Sequence, residues 1–169
     1  MIKLFQPIFL CPRMVDSPVV RTALPHDFER IVALERACFK GDLAYSRRQL
    51  QYLVSTANST TLVEECKGVI RGFVIVLYRT GSSVAGIETV NVDPMSRKQG
   101  VGTRLLATAE EDIRLKGARN IRLEVSITNH AAITLYEHAG FHRICVLKNY
   151  YHLLHDSSRD AVRMVKELR

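Results

Sequence analysis

Residues 87–106 have the types and spacing of a phosphate-binding turn. They begin with β-branched residues typical of a strand, namely Ile87, Thr89, Val90 and Val92. Asp93-Pro94 ends this run, because proline has no N–H group to donate to a ladder. Apolar residues then recur at helical spacing, and Gly100 and Gly102 stand where the strand gives way to the helix. Backbone N–H groups at such a helix start attract anions and glycine leaves room for them, so the pattern predicts a phosphate or pyrophosphate site.

Two common phosphate-binding motifs do not fit this turn. Gly100-x-Gly102 lacks the third glycine of the dinucleotide fingerprint, because Leu105 stands there. No Gly-Lys-Ser/Thr follows, which disfavours a nucleotide-triphosphate loop. On these residues alone, an ordinary tight turn before a helix remains the alternative.

A second motif lies downstream. Residues 123–141 read Leu-Glu-Val-Ser-Ile-Thr-Asn-His-Ala-Ala-Ile-Thr-Leu-Tyr-Glu-His-Ala-Gly-Phe. Together with Arg97-x-x-Gly100-x-Gly102, this resembles the two cofactor motifs of the GNAT superfamily of N-acetyltransferases. The resemblance covers about residues 19–168. It is closest to the branch that acetylates protein N-terminal α-amines, which includes ribosomal-protein-alanine acetyltransferases.

The resemblance implies an α/β (α+β) fold. In the GNAT fold a mixed, mostly antiparallel central sheet of six to seven strands is flanked by about four helices. The resemblance also implies acetyl-CoA as the donor substrate, in a cleft between two splayed central strands. We expect backbone groups of Val90, Asn91 and Val92 to bind the pantetheine arm, and Asn129 to bond the arm while it caps a helix. The pyrophosphate cradle would consist of Arg97, Lys98, Gln99, Gly100, Val101, Gly102 and Thr103.

The family match also suggests the catalytic groups. Glu124 is the candidate general base and Tyr136 the candidate acid for the departing thiolate. Glu88 is the rival base, since other GNAT branches place theirs on that strand. Each has a plain alternative: Glu124 could pair with Arg122 on the surface, and Tyr136 could pack in the core.

The acceptor side of the sequence is less typical of the branch. Tyr150 and Tyr151 match family residues that bind the first backbone groups of a peptide. Ser126 stands where the branch usually has arginine, and Tyr45-Ser46 replaces a common Trp-Ser. An α-amine, with a pKa of roughly 8, is easier to deprotonate than lysine, with a pKa of roughly 10.4. The resemblance to this branch, supported by the lower pKa, favours a protein or peptide N-terminus as acceptor, with a small amine, a lysine side chain or a non-catalytic acetyl-CoA-binding module as alternatives.

Composition limits the other functions. The 169 residues suit one domain, and 47% are hydrophobic. The net charge of +7 could attract a polyanionic cofactor, but acidic residues interrupt the basic ones, which disfavours direct nucleic-acid binding. The four cysteines form no Cys-x-x-Cys and the histidines no His-Glu-x-x-His. We therefore expect no metal site, and free thiols in the cytoplasm.

Residues 1–18 are expected to form an extension before an acetyltransferase domain at 19–169. Their apolar run is interrupted by Gln6, Pro7 and Pro12, which disfavours a signal peptide. No apolar stretch reaches the roughly 18 residues of a membrane span. The extension could pack on the domain or on a partner subunit, and the sequence leaves a homodimer open.

Periodicity predicts the remaining elements. We expect a first strand at 19–23 and a helix from Pro25 to about residue 40. Ser46 and Gln49 predict a capping box for a second helix. A hairpin should turn at residues 66–68, and further strands should occupy 120–127 and 141–147 on either side of a short helix. Residues 160–168 fit helix or strand by periodicity, and the family resemblance favours a strand.

Overall fold

Eleven helices and strands account for the fold within residues 17–155 and 157–168, the part of the chain that the computed structural model describes. In chain order they are β1 (Val19–Thr22), α1 (Phe28–Cys38), α2 (Arg47–Ser55), β2 (Ser59–Cys66), β3 (Val69–Leu77), β4 (Val84–Val92), α3 (Val101–Leu115), β5 (Asn120–Ser126), α4 (His130–His138), β6 (His142–Leu147) and β7 (Ala161–Glu167). A 3₁₀ turn at Pro25–Asp27 precedes α1.

The seven strands form one sheet in the order β1-β2-β3-β4-β5-β7-β6. Every neighbouring pair is antiparallel except β4 and β5, which are parallel. The predicted fold is therefore confirmed. The ambiguous segment at 160–168 contains the strand β7, because it pairs with β5 on one side and β6 on the other. The predicted extension lies outside the described residues, apart from positions 17 and 18.

Local signals explain several element boundaries. Ser46 caps α2 by accepting a hydrogen bond from the Gln49 N–H group, and the Gln49 side chain bonds back to the Ser46 N–H group, as the capping box predicts. Lys67 and Gly68 have positive φ in the two-residue turn between β2 and β3, which suits the twist of a hairpin. Gly117 follows α3 with φ 80°, so it ends the helix in the left-handed conformation.

The sheet separates two apolar cores. Alternate residues of β3 face opposite ways: Val74 and Val76 pack towards α3 and α4, whereas Phe73 and Ile75 pack towards α1 and α2. All four side chains are fully buried, as expected for a central strand covered on both faces. The sheet therefore has two covered faces, and we call them the α1/α2 face and the α3/α4 face.

A bulge at Glu88 changes which side chains of β4 lie on each face of the sheet. Ile75 pairs with Thr89, but the next residue, Val76, pairs with Ile87, so Glu88 is an extra residue without an opposite partner. Before the bulge Ile87 packs on the α3/α4 face; after it Val90 packs on the same face. Glu88 itself is exposed. The bulge therefore presents a carboxylate beside the middle of the sheet.

Candidate active site

A gap opens in the sheet between β4 and β5. These strands pair only from Val84 to Gly86 on β4 and from Asn120 to Arg122 on β5. The later residues of both strands, which include Glu88 and Glu124, have no register partner across the gap. The sequence-predicted cleft between splayed strands is present at this point, and it leaves the edge of β4 available to a ligand.

The hydrogen-bond pattern of β4 decides which backbone groups face the gap. The Asp93 N–H group donates to the Arg71 carbonyl oxygen at 2.8 Å. Since bonded pairs alternate in an antiparallel ladder, the backbone groups of Asn91 also face β3, whereas those of Val90 and Val92 face away from it. The Cys38 thiol donates to the Val92 carbonyl oxygen at 3.3 Å. Val90 and Val92 are therefore better placed than Asn91 to bind an extended ligand through the backbone.

The turn after β4 has the geometry of an anion site. Lys98 and Gly100 have φ of 60° and 76°, and Gly100 is the N-cap of α3 without a side-chain cap. The first-turn N–H groups of α3, on Val101, Gly102 and Thr103, therefore have no intrahelical partner. A Cβ atom on Gly102 would lie 2.9 Å from Leu135 Cδ2, so glycine lets α3 start close to α4 without displacing the Leu135 side chain.

A buried carboxylate holds the residues around this turn. Glu64 is fully buried, and its oxygens accept from Arg71 Nη2 at 2.5 Å and from Arg104 Nη2 at 2.7 Å. Arg104 also donates to the Gln99 carbonyl oxygen at 3.0 Å, and Arg71 Nη1 to Gln99 Oε1 at 3.3 Å. Burial alone would raise the pKa of Glu64, but the hydrogen bonds from the two arginines outweigh it and lower the pKa. Sequence reasoning did not identify this cluster.

Glu124 lies beside the gap on the α1/α2 face. Its neighbours Leu123 and Val125 are buried on the other face. Its Oε1 atom accepts from Arg163 Nε at 2.7 Å and lies 3.3 Å from Arg122 Nε. The expected alternative of a pair with Arg122 thus exists, and the shorter contact comes from a partner on β7 that sequence reasoning missed.

Glu88 belongs to a hydrogen-bonded chain that begins at a buried carboxylate. Glu35 is buried, accepts from the Tyr45 N–H group at 2.9 Å and accepts from the Asn91 side-chain amide. The Tyr45 hydroxyl donates in turn to Glu88. Burial and this contact raise the pKa of Tyr45, which therefore keeps its proton and remains the donor. These hydrogen bonds connect the loop between α1 and α2 to β4. The only sign of them in the sequence is that Tyr45 replaces the tryptophan usual in the family.

Tyr136 is a buried residue of α4, and its ring packs edge-on against Phe141 at 5.8 Å. Its hydroxyl group has no hydrogen-bond partner among the described residues. Thr61 Oγ1 is the only fully buried side-chain oxygen or nitrogen there without a partner, so the Tyr136 hydroxyl reaches solvent-accessible space. Burial raises the pKa of Tyr136, and the phenol is therefore protonated at neutral pH.

Tyr150 and Tyr151 lie close to both carboxylates. Their rings are 5.0 Å apart, and Tyr151 also contacts the ring of His155 at 4.0 Å. Burial raises the pKa of Tyr151 to about 12, with smaller contributions from the nearby charges of Glu124 and Glu88. The structure thus brings the sequence-predicted tyrosines and both candidate bases to one mouth of the gap. Asn129 lies beyond it, where its side chain caps α4 by accepting from the Ala132 N–H group at 3.1 Å.

Comparison with known proteins gives the family. The model of the acetyltransferase (GNAT) family matches residues 28–141, more than half of the chain. The chain belongs to the GNAT family. A crystal structure of the ribosomal-protein-S18-alanine N-acetyltransferase from Escherichia coli has the same fold, with a TM-score of 0.79 at 23% identity over 89% of this chain and 94% of that one. The predicted GNAT resemblance is therefore confirmed.

Curated GNAT relatives are similar over different lengths. An N-alpha-acetyltransferase RimI of Mycobacterium tuberculosis is 28% identical over 89% of this chain and 94% of its own length. The ribosomal protein bS18-alanine N-acetyltransferase of E. coli is 36% identical over 47% of this chain and 53% of its own length. An uncharacterised protein of Mycobacterium leprae is 30% identical over 88% of this chain and 40% of its own length. The chain thus spans about half the length of the last two relatives.

Two further observations concern the surroundings of the GNAT site. In the described part of the chain, no group of three or more His, Cys, Asp or Glu side chains is placed to hold a metal ion. Within the same residues, no helix has the length and apolar character needed to cross a membrane.

Proposed function

We propose that the chain transfers the acetyl group of acetyl-CoA to the N-terminal α-amine of a protein or peptide. The observation that carries the proposal is the mouth of the β4–β5 gap. Glu88 and Glu124 lie there on the α1/α2 face with Tyr150 and Tyr151 close to them, while Tyr136 belongs to the core on the α3/α4 face. An acceptor amine and a donor thioester could therefore approach each other from opposite sides of the sheet.

The donor side of the chain fits acetyl-CoA, which would supply a reactive thioester. The unbonded N–H groups at the start of α3 can bind its pyrophosphate, and Arg97 and Lys98 add positive charge at the exposed turn. Val90 and Val92 can bind the pantetheine arm as a neighbouring strand would. One of their N–H groups can donate to the thioester oxygen, where negative charge develops.

Glu124 is the group we assign to the acceptor amine. A nucleophilic amine must lose a proton, and a carboxylate can accept one through a water molecule. Arg122 and Arg163 contact Oε1 of Glu124, and they hold the carboxylate in place beside the gap. Glu88, which accepts from Tyr45, is the second choice, because the GNAT branch that the chain most resembles has its catalytic glutamate at the position of Glu124.

Tyr136 is the group we assign to the departing thiolate. Its phenol carries a proton at neutral pH, and its hydroxyl group donates to no described residue. Transfer to a thiolate with an ordinary pKa of about 8.5 is uphill for a tyrosine with a raised pKa. However, the low polarity that raises the pKa of Tyr136 also disfavours a free thiolate, which reduces the difference.

The test is acetylation of matched peptides with acetyl-CoA, followed by mass spectrometry. One peptide has a free N-terminus and no lysine; the other has the same sequence with a blocked N-terminus and one internal lysine. We expect the free peptide to be the better acceptor near neutral pH, because its amine is the less basic of the two. Preference for the blocked lysine peptide, or reaction with a polyamine alone, would overturn the N-terminal assignment.

We also propose a cytoplasmic location. Cys38 and Cys145 are free thiols, which agrees with a reducing compartment.

A further inference from the structure

A groove beside the gap leads away from Glu88 along α2. It is open to solvent and has a volume of about 470 Å³, with Glu88 on one wall and the α2 side on the other. The α2 side includes Tyr45, Arg48, Gln49, Tyr52 and Leu53. The last four follow one another at the three- and four-residue spacing of a single face of α2, and Tyr45 precedes the helix. The groove is therefore a continuous surface between one side of a helix and the bulge of β4.

The two neighbouring arginines at the start of α2 differ in their contacts. Arg47 donates to both oxygens of Glu29, at 2.8 and 2.5 Å, and lies over the ring of Phe28. Arg48 is exposed and forms no hydrogen bond or ion pair with any described residue. The groove thus has one cation whose charge no neighbour in the described chain compensates.

The groove continues past this cation. A second cavity of about 500 Å³ lies on its outer side, and Arg48 and Tyr52 line both cavities. Tyr52 is 58% exposed, so more than half of its aromatic side chain is open to a ligand. Arg48 and Tyr52 therefore stand midway along a path that begins at Glu88 and runs outwards along α2.

The charges along this path are ordered. A carboxylate, Glu88, stands at the inner end, and a guanidinium, Arg48, stands further out. An acceptor with a cationic N-terminus followed by an acidic side chain complements this order. A peptide with a basic side chain at the same place would meet Arg48 with like charge.

We propose that Arg48 selects acceptors with an acidic side chain at the second to fourth residue. This inference rests on the proposed function, since it concerns the residues that follow the acetylated amine. Arg48 stands three residues after Tyr45, the residue bonded to Glu88, and the rise of α2 puts Tyr52 about 6 Å beyond Arg48. An extended peptide advances about 3.3 Å per residue, so the side chains that reach this stretch belong to residues two to four.

The experiment uses peptides of eight residues without lysine, each with a single aspartate at position two, three, four or seven. Each is compared with the same peptide that carries asparagine, and kcat/KM is measured at saturating acetyl-CoA. We expect aspartate to raise kcat/KM about two- to fivefold at one or more of positions two to four, the range of an exposed ion pair. At position seven it should have no effect. The preference should weaken at high salt.

Two substitutions of Arg48 make the test specific. Arg48→Gln should abolish the preference for the aspartate over the asparagine peptide, and Arg48→Glu should reverse it so that the asparagine peptide becomes the better acceptor. The matched control is Arg79→Gln, which removes the same charge from an exposed position. Arg79 follows β3, and β3 ends opposite Gly86, away from Glu88. The preference for aspartate should survive in this control.

The outcomes separate this inference from the function on which it rests. Acetylation of N-terminal amines without a preference, or an equal effect of aspartate at position seven, would overturn the role of Arg48 alone. A preference that persists in Arg48→Gln would do the same. Failure to acetylate any peptide would overturn both proposals.

Discussion

Two buried carboxylates show how the partner decides the charge of a residue. Glu35 and Glu64 are both almost inaccessible to solvent. Glu35 accepts from amides only, and burial outweighs these bonds and raises its pKa. Glu64 accepts from two arginines, and its pKa falls although burial acts in the opposite direction. The same side chain is thus easier to protonate at one site and harder at the other.

The pH dependence of stability should have opposite signs at these residues. The contribution of Glu35 is fully present below the ordinary carboxyl pKa of about 4.3 and is lost as the pH rises through its raised folded pKa. The contribution of Glu64 is present above that ordinary value and is lost as the pH falls through its lowered folded pKa. We expect the free energy of unfolding of Glu35→Gln to increase relative to that of the wild type as the pH rises. The free energy of unfolding that Glu64→Gln loses should be smallest at low pH. Urea unfolding from pH 3 to 8 measures both, and equal slopes would contradict this account.

The base can be identified by a pair of substitutions. Glu124→Gln should lower kcat/KM about 10²–10⁴-fold at neutral pH, the usual contribution of a general base. The loss should shrink above the pKa of the acceptor amine, because free amine is then abundant. Glu88→Gln should cost much less, and steady-state kinetics on one peptide across pH compares the two. If Glu88→Gln is the more damaging change, the base lies on β4.

The acid has a matched control elsewhere in the chain. Tyr136→Phe should lower kcat by roughly 10²-fold and leave the affinity for acetyl-CoA nearly intact, because only proton transfer is lost. Tyr78→Phe removes another partly buried hydroxyl, which bonds Asp112 at 2.6 Å. That variant should change stability and leave kcat alone. An unchanged kcat in Tyr136→Phe would make Tyr136 a packing residue.

At the scale of elements, the approach of α3 to the sheet depends on Gly72. A Cβ atom there would lie 2.6 Å from the Asn91 carbonyl oxygen and 2.9 Å from Val101 Cγ1. The first of these is backbone of the neighbouring strand, which cannot move without disturbing the ladder. Gly72 therefore lets β4 and the first turn of α3 pack closely against β3, next to the phosphate-binding turn after β4.

The effect of Gly72 can be measured against another strand glycine. Gly72→Ala should destabilise the protein by about 1–3 kcal/mol, the usual cost of forcing extra atoms into a packed site. Gly86→Ala is the control, since a Cβ atom at Gly86 would contact nothing within 4 Å. It should change the free energy of unfolding by no more than about 0.5 kcal/mol. Chemical denaturation of the two variants tests this, and equal losses would refute the close-packing argument.

At the scale of the whole molecule, charge and ligand binding should act together. The chain carries a net charge of +7, which favours the approach of a polyanionic donor. A ligand that binds the folded state alone stabilises it by about 2.7 kcal/mol at 100 times its Kd. For a chain of this size, that corresponds to a rise in Tm of about 5–10 °C.

Thermal unfolding with and without acetyl-CoA tests whether the turn after β4 binds the phosphates of the donor. The wild type should show this rise, and Gly100→Val should lose it, because the side chain obstructs the approach to the turn. Gly81→Val is a closely matched control, since Gly81 has the same φ of 76° as Gly100 but lies in the turn after β3. Both variants carry similar backbone strain. If Gly100→Val retains the ligand-dependent shift, the phosphate site lies elsewhere.

The sequence alone determined the elements and the family, because their signals are local. The capping box at Ser46, the glycine that ends α3 and the two spaced motifs all depend on residues within about a helix length of one another. Such signals survive without knowledge of the partners. They also identified Glu124, Glu88 and Tyr136 as candidates.

Only the tertiary structure decided what those candidates touch. The bonds of Glu124 to Arg163, Tyr45 to Glu88 and Asn91 to Glu35 join residues 39, 43 and 56 positions apart. Strand register and the bulge at Glu88 set these contacts, and no periodicity in the sequence records a register. The secondary structure of β7 was also decided by tertiary contacts. Its residues suit a helix or a strand, and pairing with β5 and β6 selected the strand.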